Sequence, residues 1–250
     1  MAVYITGDCH AEWSKILYNE FLTKDDYVIV CGDFGLWHDT DNEESRKLDN
    51  LSYKGVKILW CDGNHENFDR LYGDEFEVVD LYGGKAHKIR ENIYHLMRGN
   101  VFEIEGKKFF VFGGASSHDI KDGIISRDEY KSDDEFYNII YGMRKHRMQF
   151  RIKGLSWWEK ELPTEEEMEI GRQNLKAHNN EVDFIISHCL PQQAAAVFSR
   201  GVYKPDILTT YFDEIVADNK FTKWYCGHYH QDAIIMGKFI VTYDYFERVV

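Results

Sequence analysis

The 250-residue chain, 44% hydrophobic and 15% aromatic, is long enough to bury one sizeable core, and it suits one domain (1–250) with an insertion better than two. A formal net charge of −13 argues against extended nucleic acid or an anionic membrane surface as a partner, since a polyanion needs a basic track and clusters such as Arg144-Lys145-His146-Arg147 read as a solvated face. No run of about 18 apolar residues is present to span a bilayer, and the opening MAVYITGDCH lacks the parts of a signal peptide, so the expected location is the cytoplasm.

In chain order, short apolar runs at 3–6, 27–31 and 56–61 read as buried strands, separated by helical patterns at 12–22 and 42–53. That alternation is the βαβ pattern, which sets strands parallel and brings their C-terminal ends to one edge. Runs at 101–104 and 109–112, joined through Glu105-Gly106, read as a hairpin. Further strands are expected at 182–187, 223–226 and 239–243. A parallel half followed by an antiparallel half predicts two sheets packed face to face with helices outside. Between them, residues 116–180 are polar and mostly helix-like (133–148, then 165–177 with Thr164 as N-cap), and read as an insertion or cap over one edge of the core.

Metal-ligand residue types recur directly after the expected strands: Gly7-Asp8-Cys9-His10, Gly32-Asp33, Gly63-Asn64-His65-Glu66, Ser187-His188-Cys189 and Gly227-His228-Tyr229-His230. In open α/β sheets ligands bind beyond the carboxyl ends of strands, so these turns can converge on one place, and the glycines let the chain turn there. Any one of them is weak evidence, because a lone Asp or His at a turn is usually solvated. Polar capping alone does not account for the selective use of Asp, Asn and His in all five.

The ordered set resembles the calcineurin-like metallophosphoesterase superfamily, and its motifs span residues 7 to 230. The resemblance implies an α/β fold, a four-layer αββα sandwich of two mixed sheets, and a hydrolase acting on phosphate esters. It implies that Asp8, His10 and His230 hold one metal, that Asn64, His188 and His228 hold a second, and that Asp33 bridges the two. Carboxylate, amide oxygen and imidazole suit divalent ions, Mn²⁺ foremost, with Fe, Zn²⁺, Ni²⁺ or Mg²⁺ as alternatives. The neutral amide of Asn64 leaves such a centre with a net attraction for phosphate that an Asp there would cancel. By the same resemblance, a hydroxide formed from a shared water attacks phosphorus in line with the leaving group, and His65 protonates the leaving oxygen or stabilises its charge.

The chain departs from the pattern at its second block. Protein serine/threonine phosphatases and diadenosine tetraphosphatases of this superfamily extend it to Gly-Asp-x-x-Asp-Arg, but here it reads Gly32-Asp33-Phe34-Gly35-Leu36-Trp37. The Asp that would orient His65 and the Arg that would grip a terminal phosphate are both missing, leaving Glu66 a candidate partner for His65 by adjacency alone. The departure lowers the case for a protein phosphatase; the leading expectation is a phosphodiester substrate of modest size. A phosphomonoesterase, a nuclease or a non-catalytic scaffold of this fold are the alternatives, and the intact ligand positions weigh against the scaffold.

Softer candidates for the pocket mouth are Trp37-His38, Asn67-Phe68, Arg98, Ser117-His118-Asp119 and Trp157-Trp158. The Gly113-to-Asp119 turn, with Ser156-Trp157-Trp158, resembles small bacterial and phage members of the superfamily. His87, His95, His146 and His178 have no motif context and read as structural or surface residues. The five cysteines, an odd number with no CxxC pair, disfavour a disulfide framework. Each lies inside or beside a motif block, where small buried hydrophobes fit better than redox sensors. The sequence carries no signal for an oligomer.

Overall fold

Strands covered on both faces need apolar residues at nearly every position, and alternation then decides which layer each side chain joins. The computed structural model describes residues 1–36 and 42–250. In chain order its strands are β1 (Val3–Thr6), β2 (Tyr27–Val30), β3 (Lys57–Trp60), β4 (Glu77–Leu81), β5 (Gly84–Arg90), β6 (Ile93–Leu96), β7 (Asn100–Ile104), β8 (Lys107–Phe112), β9 (Ile124–Ile125), β10 (Arg151–Ile152), β11 (Phe184–Ser187), β12 (Lys223–Cys226), β13 (Ala233–Ile235), β14 (Phe239–Val241) and β15 (Glu247–Arg248). The helices are α1 (Ser14–Leu17), α2 (Asn42–Tyr53), α3 (Phe68–Leu71), α4 (Asp133–Lys145), α5 (Glu165–Ala177), α6 (Gln192–Ser199) and α7 (Ile207–Asp218).

One sheet runs β15-β1-β2-β3-β6-β5-β4 and the other β13-β14-β12-β11-β8-β7. Val3, Ile5, Ile29 and Leu59 of the first sheet meet Phe109, Val111, Ile186 and Tyr225 of the second in a shared core. The alternate positions face away. Val28, Val30, Ile58 and Trp60 pack with Ile16, Leu48, Leu51 and Leu71 of α1–α3. On the other side Phe110, Phe112, Ile185 and Trp224 pack with residues of α5, α6 and α7. The result is helices, sheet, sheet, helices, the mixed four-layer arrangement expected.

Three expectations need correction. Residues 12–22 form only the four-residue α1, whose N-cap Trp13 supplies no side-chain hydrogen bond; Trp13, Ile16 and Leu22 are buried, and Tyr18 and Phe21 are exposed. The second sheet is not an antiparallel half: β8, β11, β12 and β14 are mutually parallel, and only β7 and β13 at its edges run antiparallel. Residues 77–96, assigned no element from the sequence, supply three strands, whose mixed polarity reflects an edge that keeps one face wet. The 101–112 hairpin turns through Glu105 and Gly106, both with positive φ, as a two-residue turn requires. The 42–53 and 165–177 helices stand where expected, the latter with a full Thr164–Glu167 capping box.

The 116–180 segment divides in two. α4 and the parallel β9–β10 pair enclose a small core of their own, with Phe136, Ile140 and Ile152 buried. α5 instead belongs to the outer layer of the second sheet, through Met168 and Leu175. The segment is pinned to the main body by Arg98, which was a candidate for the pocket mouth but is buried here. Its guanidinium donates to Asp62 Oδ2 through Nε (2.9 Å) and Nη2 (2.6 Å), and Nη2 also reaches the Lys160 carbonyl at 2.7 Å. His95 Nε2 lies 3.1 Å from the other Asp62 oxygen and His87 Nδ1 lies 2.9 Å from His95 Nδ1, so both histidines are structural. Burial opposes ionisation of Asp62, but Arg98 outweighs it and holds the carboxyl well below the usual range. Removing one partner of a buried pair leaves the other charge uncompensated. Arg98→Leu is therefore expected to cost about 3–5 kcal/mol in urea unfolding of chelator-treated protein.

Candidate metal centre

The five turns that carry the candidate ligands meet at one edge, and each is held by another. Asp8 follows β1 and is buried; its Oδ1 accepts the backbone N–H of His228 at 2.9 Å. Asp33 follows β2, and its Oδ1 accepts the backbone N–H of His65 at 2.7 Å. The glycines matter for space as much as for turning. A Cβ on Gly63 would fall on the Asp33 carboxylate, one on Gly32 on the His188 ring, and one on Gly227 on the Asp8 carboxylate. Each of these three glycines thus makes room for another block's candidate ligand. His10, Asp33, His228 and His230 all have positive φ, a cost that non-glycine residues bear where surrounding structure fixes them.

Two residues that the sequence did not single out brace these turns. Lys15 of α1 spends all three ammonium donors on backbone carbonyls, those of Gly7 (2.8 Å), Asp8 (2.8 Å) and Tyr243 (2.7 Å). Glu161 accepts from Ser117 Oγ (3.0 Å) and from the Ser117 backbone N–H (3.2 Å). Ser117 Oγ in turn accepts from Asn64 Nδ2 at 3.3 Å, which leaves the amide oxygen of Asn64 as the atom free to ligate. A lysine amid backbone oxygens and a serine–glutamate relay carry no local sequence signature, because their partners are remote in the chain.

Around Asp33 the donor atoms converge. His188 Nδ1 donates to the Cys31 carbonyl at 2.7 Å, so Nε2 is the ring atom turned inward, 3.4 Å from Asp33 Oδ2. On the other side His10 Nε2 lies 3.8 Å from the same oxygen. Asp8 Oδ2 stands 3.2 Å from His230 Nε2 and 3.6 Å from His10 Nε2. His10 and His230 bring their Nε2 atoms to 3.0 Å, and His228 Nδ1 lies 3.2 Å from His188 Nε2. Ligand atoms of Asp8, His10 and His230, and again of Asp8, Asp33 and His188, fall within 4.8 Å of one another.

These residues fit divalent cations on their own chemistry. Asn64 Oδ1 is buried with no hydrogen-bond partner among the described residues, and the buried Asp8 Oδ2 has the Nε2 atoms of His230 and His10 beside it at 3.2 and 3.6 Å. An orphaned buried acceptor costs about 1–3 kcal/mol unless something positive meets it. Burial opposes ionisation of Asp33, but His188 nearby outweighs it and depresses its carboxyl, while Asp33 and Asp8 lift His188 to about 10 against its own burial. Burial, together with the Arg151 charge, holds His65 below its ordinary value against the pull of Asp33.

The softer candidates sort clearly. His118 reaches the site, with its Nε2 2.6 Å from His228 Nε2 and its ring stacked on Tyr203. Asn67 caps α3, and Phe68 is buried. Trp158 is also buried, packed near Phe68 with its indole N–H on Asp69 at 2.8 Å. Glu66 is not the partner of His65. Its carboxylate instead accepts backbone N–H groups from Phe34 (2.7 Å), Gly35 (3.1 Å) and Leu36 (2.9 Å), tying the third block to the second. Trp37 and His38 lie outside the described residues. All five cysteines are buried and unpaired, and burial drives Cys9 up to about 12 and the other four well above the ordinary range, as inert packing thiols require.

Gly63→Ala replaces no candidate ligand but forces Asp33 aside. It is expected to weaken metal retention by about 10–100-fold, read by metal quantification after dialysis against graded chelator.

No curated protein matches the chain. The family model described as calcineurin-like phosphoesterase matches residues 1–232, a span that takes in every turn of the constellation. The chain belongs to the calcineurin-like phosphoesterase family.

Proposed function

We propose that the protein hydrolyses a phosphate ester, a phosphodiester of modest size, at a centre of two divalent cations, with Mn²⁺ the foremost candidate. The observation that carries this reading is the buried, unpartnered oxygen of Asn64 together with the carboxylate oxygens of Asp8 and Asp33, which imidazoles of His10, His188 and His230 surround. Asp8, His10 and His230 would hold one ion, Asn64, His188 and His228 the other, and Asp33 both. When bound, two such ions make a water nucleophilic at neutral pH and neutralise phosphoryl oxygens.

The chain's own groups do the rest. Lys15 and Glu66 fix the first and second turns, so the carboxylates keep their positions while charge shifts in the reaction. Ser117 orients the Asn64 amide and the Cys31 carbonyl orients His188. The His65 ring, 5.3 Å between centroids from that of His10, stands beside the reacting position, where it assists departure of the leaving oxygen. A net charge of −13 disfavours long polyanions, which supports a small substrate over a nuclease. Among the described residues no helix is long and apolar enough to cross a membrane.

The test is protein purified without chelator, with its metals quantified and bis-p-nitrophenyl phosphate assayed beside p-nitrophenyl phosphate with added Mn²⁺. The expected result is about two ions per chain and turnover of the diester that Asp33→Asn abolishes. A protein that takes up no metal contradicts the reading. His65→Ala is expected to keep both ions and lose about 10²–10⁴-fold in turnover; undiminished turnover by that variant removes the role given to His65.

A further inference from the structure

The second sequence block lacks the arginine that grips phosphate in other members of the family, yet a guanidinium stands at the site. Arg151 lies on β10, in the insertion, and its side chain is only 17% exposed. Nε donates to Asp119 Oδ1 at 2.7 Å, and Nη2 lies 2.7 Å from Asp119 Oδ2. That is a two-point fork of the kind that fixes a guanidinium in its plane. Arginine has five N–H donors, and this fork uses one edge of the group. The adjacent end of the group, Nη1 and Nη2, faces His65, with Nη2 3.1 Å from Nε2 and Nη1 3.3 Å from Nδ1 of the ring. A neutral imidazole offers one acceptor, so these contacts cannot use all the remaining donors.

We propose that Arg151 is a substrate-binding residue that grips an oxygen of the phosphoryl group beside His65, supplied by the insertion in place of the missing arginine of the second block. Asp119 is its positioning residue. The inference rests on the phosphoesterase reading above and adds to it the origin of the anion grip. Position supports the assignment. Asp119 follows Ser117 and His118, which touch Asn64 and His228, so the turn that braces two candidate ligands also aims the arginine. Local order supports it too. β10 pairs with β9, and Ile152, the next residue, is buried in the insertion's small core, so the side chain springs from a fixed backbone. A purely structural arginine at this depth would be expected to end on carbonyl oxygens, as Arg98 does on Lys160. Arg151 turns its second edge toward the ring of His65 instead.

The experiment measures binding of inorganic phosphate to the Mn²⁺-loaded protein by calorimetry, together with kcat and KM for bis-p-nitrophenyl phosphate, in wild type, Arg151→Ala, Arg151→Lys and Asp33→Asn. Metal content and thermal midpoint are recorded for each. The expected result is that Arg151→Ala keeps its metals, binds phosphate about tenfold or more weaker and loses a similar factor in kcat/KM, with Arg151→Lys in between because it keeps the charge but not the fork. Phosphate affinity within twofold of wild type in both folded variants overturns the proposal. Should Arg151→Ala fail to fold, Arg151→Lys and Arg151→Gln decide by the same criterion. Asp33→Asn separates the two levels of argument. Phosphate binding lost there but intact without Arg151 overturns the arginine's role alone. A wild-type protein that holds no metal and binds no phosphate overturns the phosphoesterase reading, and this inference with it.

Discussion

Two buried carboxylates at the ends of neighbouring parallel strands set the terms for everything around them. Asp8 is 3% and Asp33 1% exposed, so neither is neutralised by water. Like charges at such depth repel, and each must be compensated locally. The chain does this in three ways. Backbone N–H groups of His228 and His65 take one oxygen of each carboxylate. Imidazoles of His10, His188 and His230 surround the other oxygens. Glycines at 32, 63 and 227 clear the space the side chains need. Because each device comes from a different block, the turns are mutually dependent: the position of Asp33 fixes His65, and that of His228 is fixed by Asp8.

The two-sheet fold serves this arrangement. Parallel strands β1, β2 and β3 of one sheet and β11 and β12 of the other end at the same edge, and all five turns with candidate ligands follow them. Period-2 alternation decides which core each strand residue enters. Val30 packs under the outer helices while Ile29, its neighbour, packs between the sheets. The strand ends are therefore held from both faces, and strained turns with positive φ can persist there without local unfolding.

The sequence made the ligand-bearing turns legible because their chemistry is local: Asp, Asn and His directly after apolar runs. The strands that carry them were readable for the same reason, being continuous, β-branched and ended by glycine. What was not legible depends on partners far along the chain. Lys15 looked like one residue of a helix until its ammonium met carbonyls at 7, 8 and 243. Glu66 suggested a partner for His65 by adjacency, while its real partners are the three amides of 34–36. Residues 77–96 escaped because charged residues interrupt their apolar pattern. The direction of β11, β12 and β14 escaped because a strand's own residues do not say whether its neighbour runs parallel.

Division of labour between core and insertion follows from the same geometry. The core turns hold the candidate ligands and tolerate little change, since Asp8, Asp33 and His188 each fill a space left by another block's glycine. Groups that meet a substrate are better placed on a segment that can vary without disturbing that packing. The insertion has its own small core, and its attachments to the body are specific: Lys160 on Arg98, Trp158 on Asp69, and Glu161 on Ser117. It reaches the site through Ser117, His118 and Arg151 rather than through a candidate ligand. An arginine side chain carries about 2 kcal/mol of rotamer entropy, which a loosely held residue loses when it binds. Here the Asp119 fork and the β9–β10 pairing remove that freedom in advance, so a guanidinium borrowed from outside the motif can be as well aimed as one built into it.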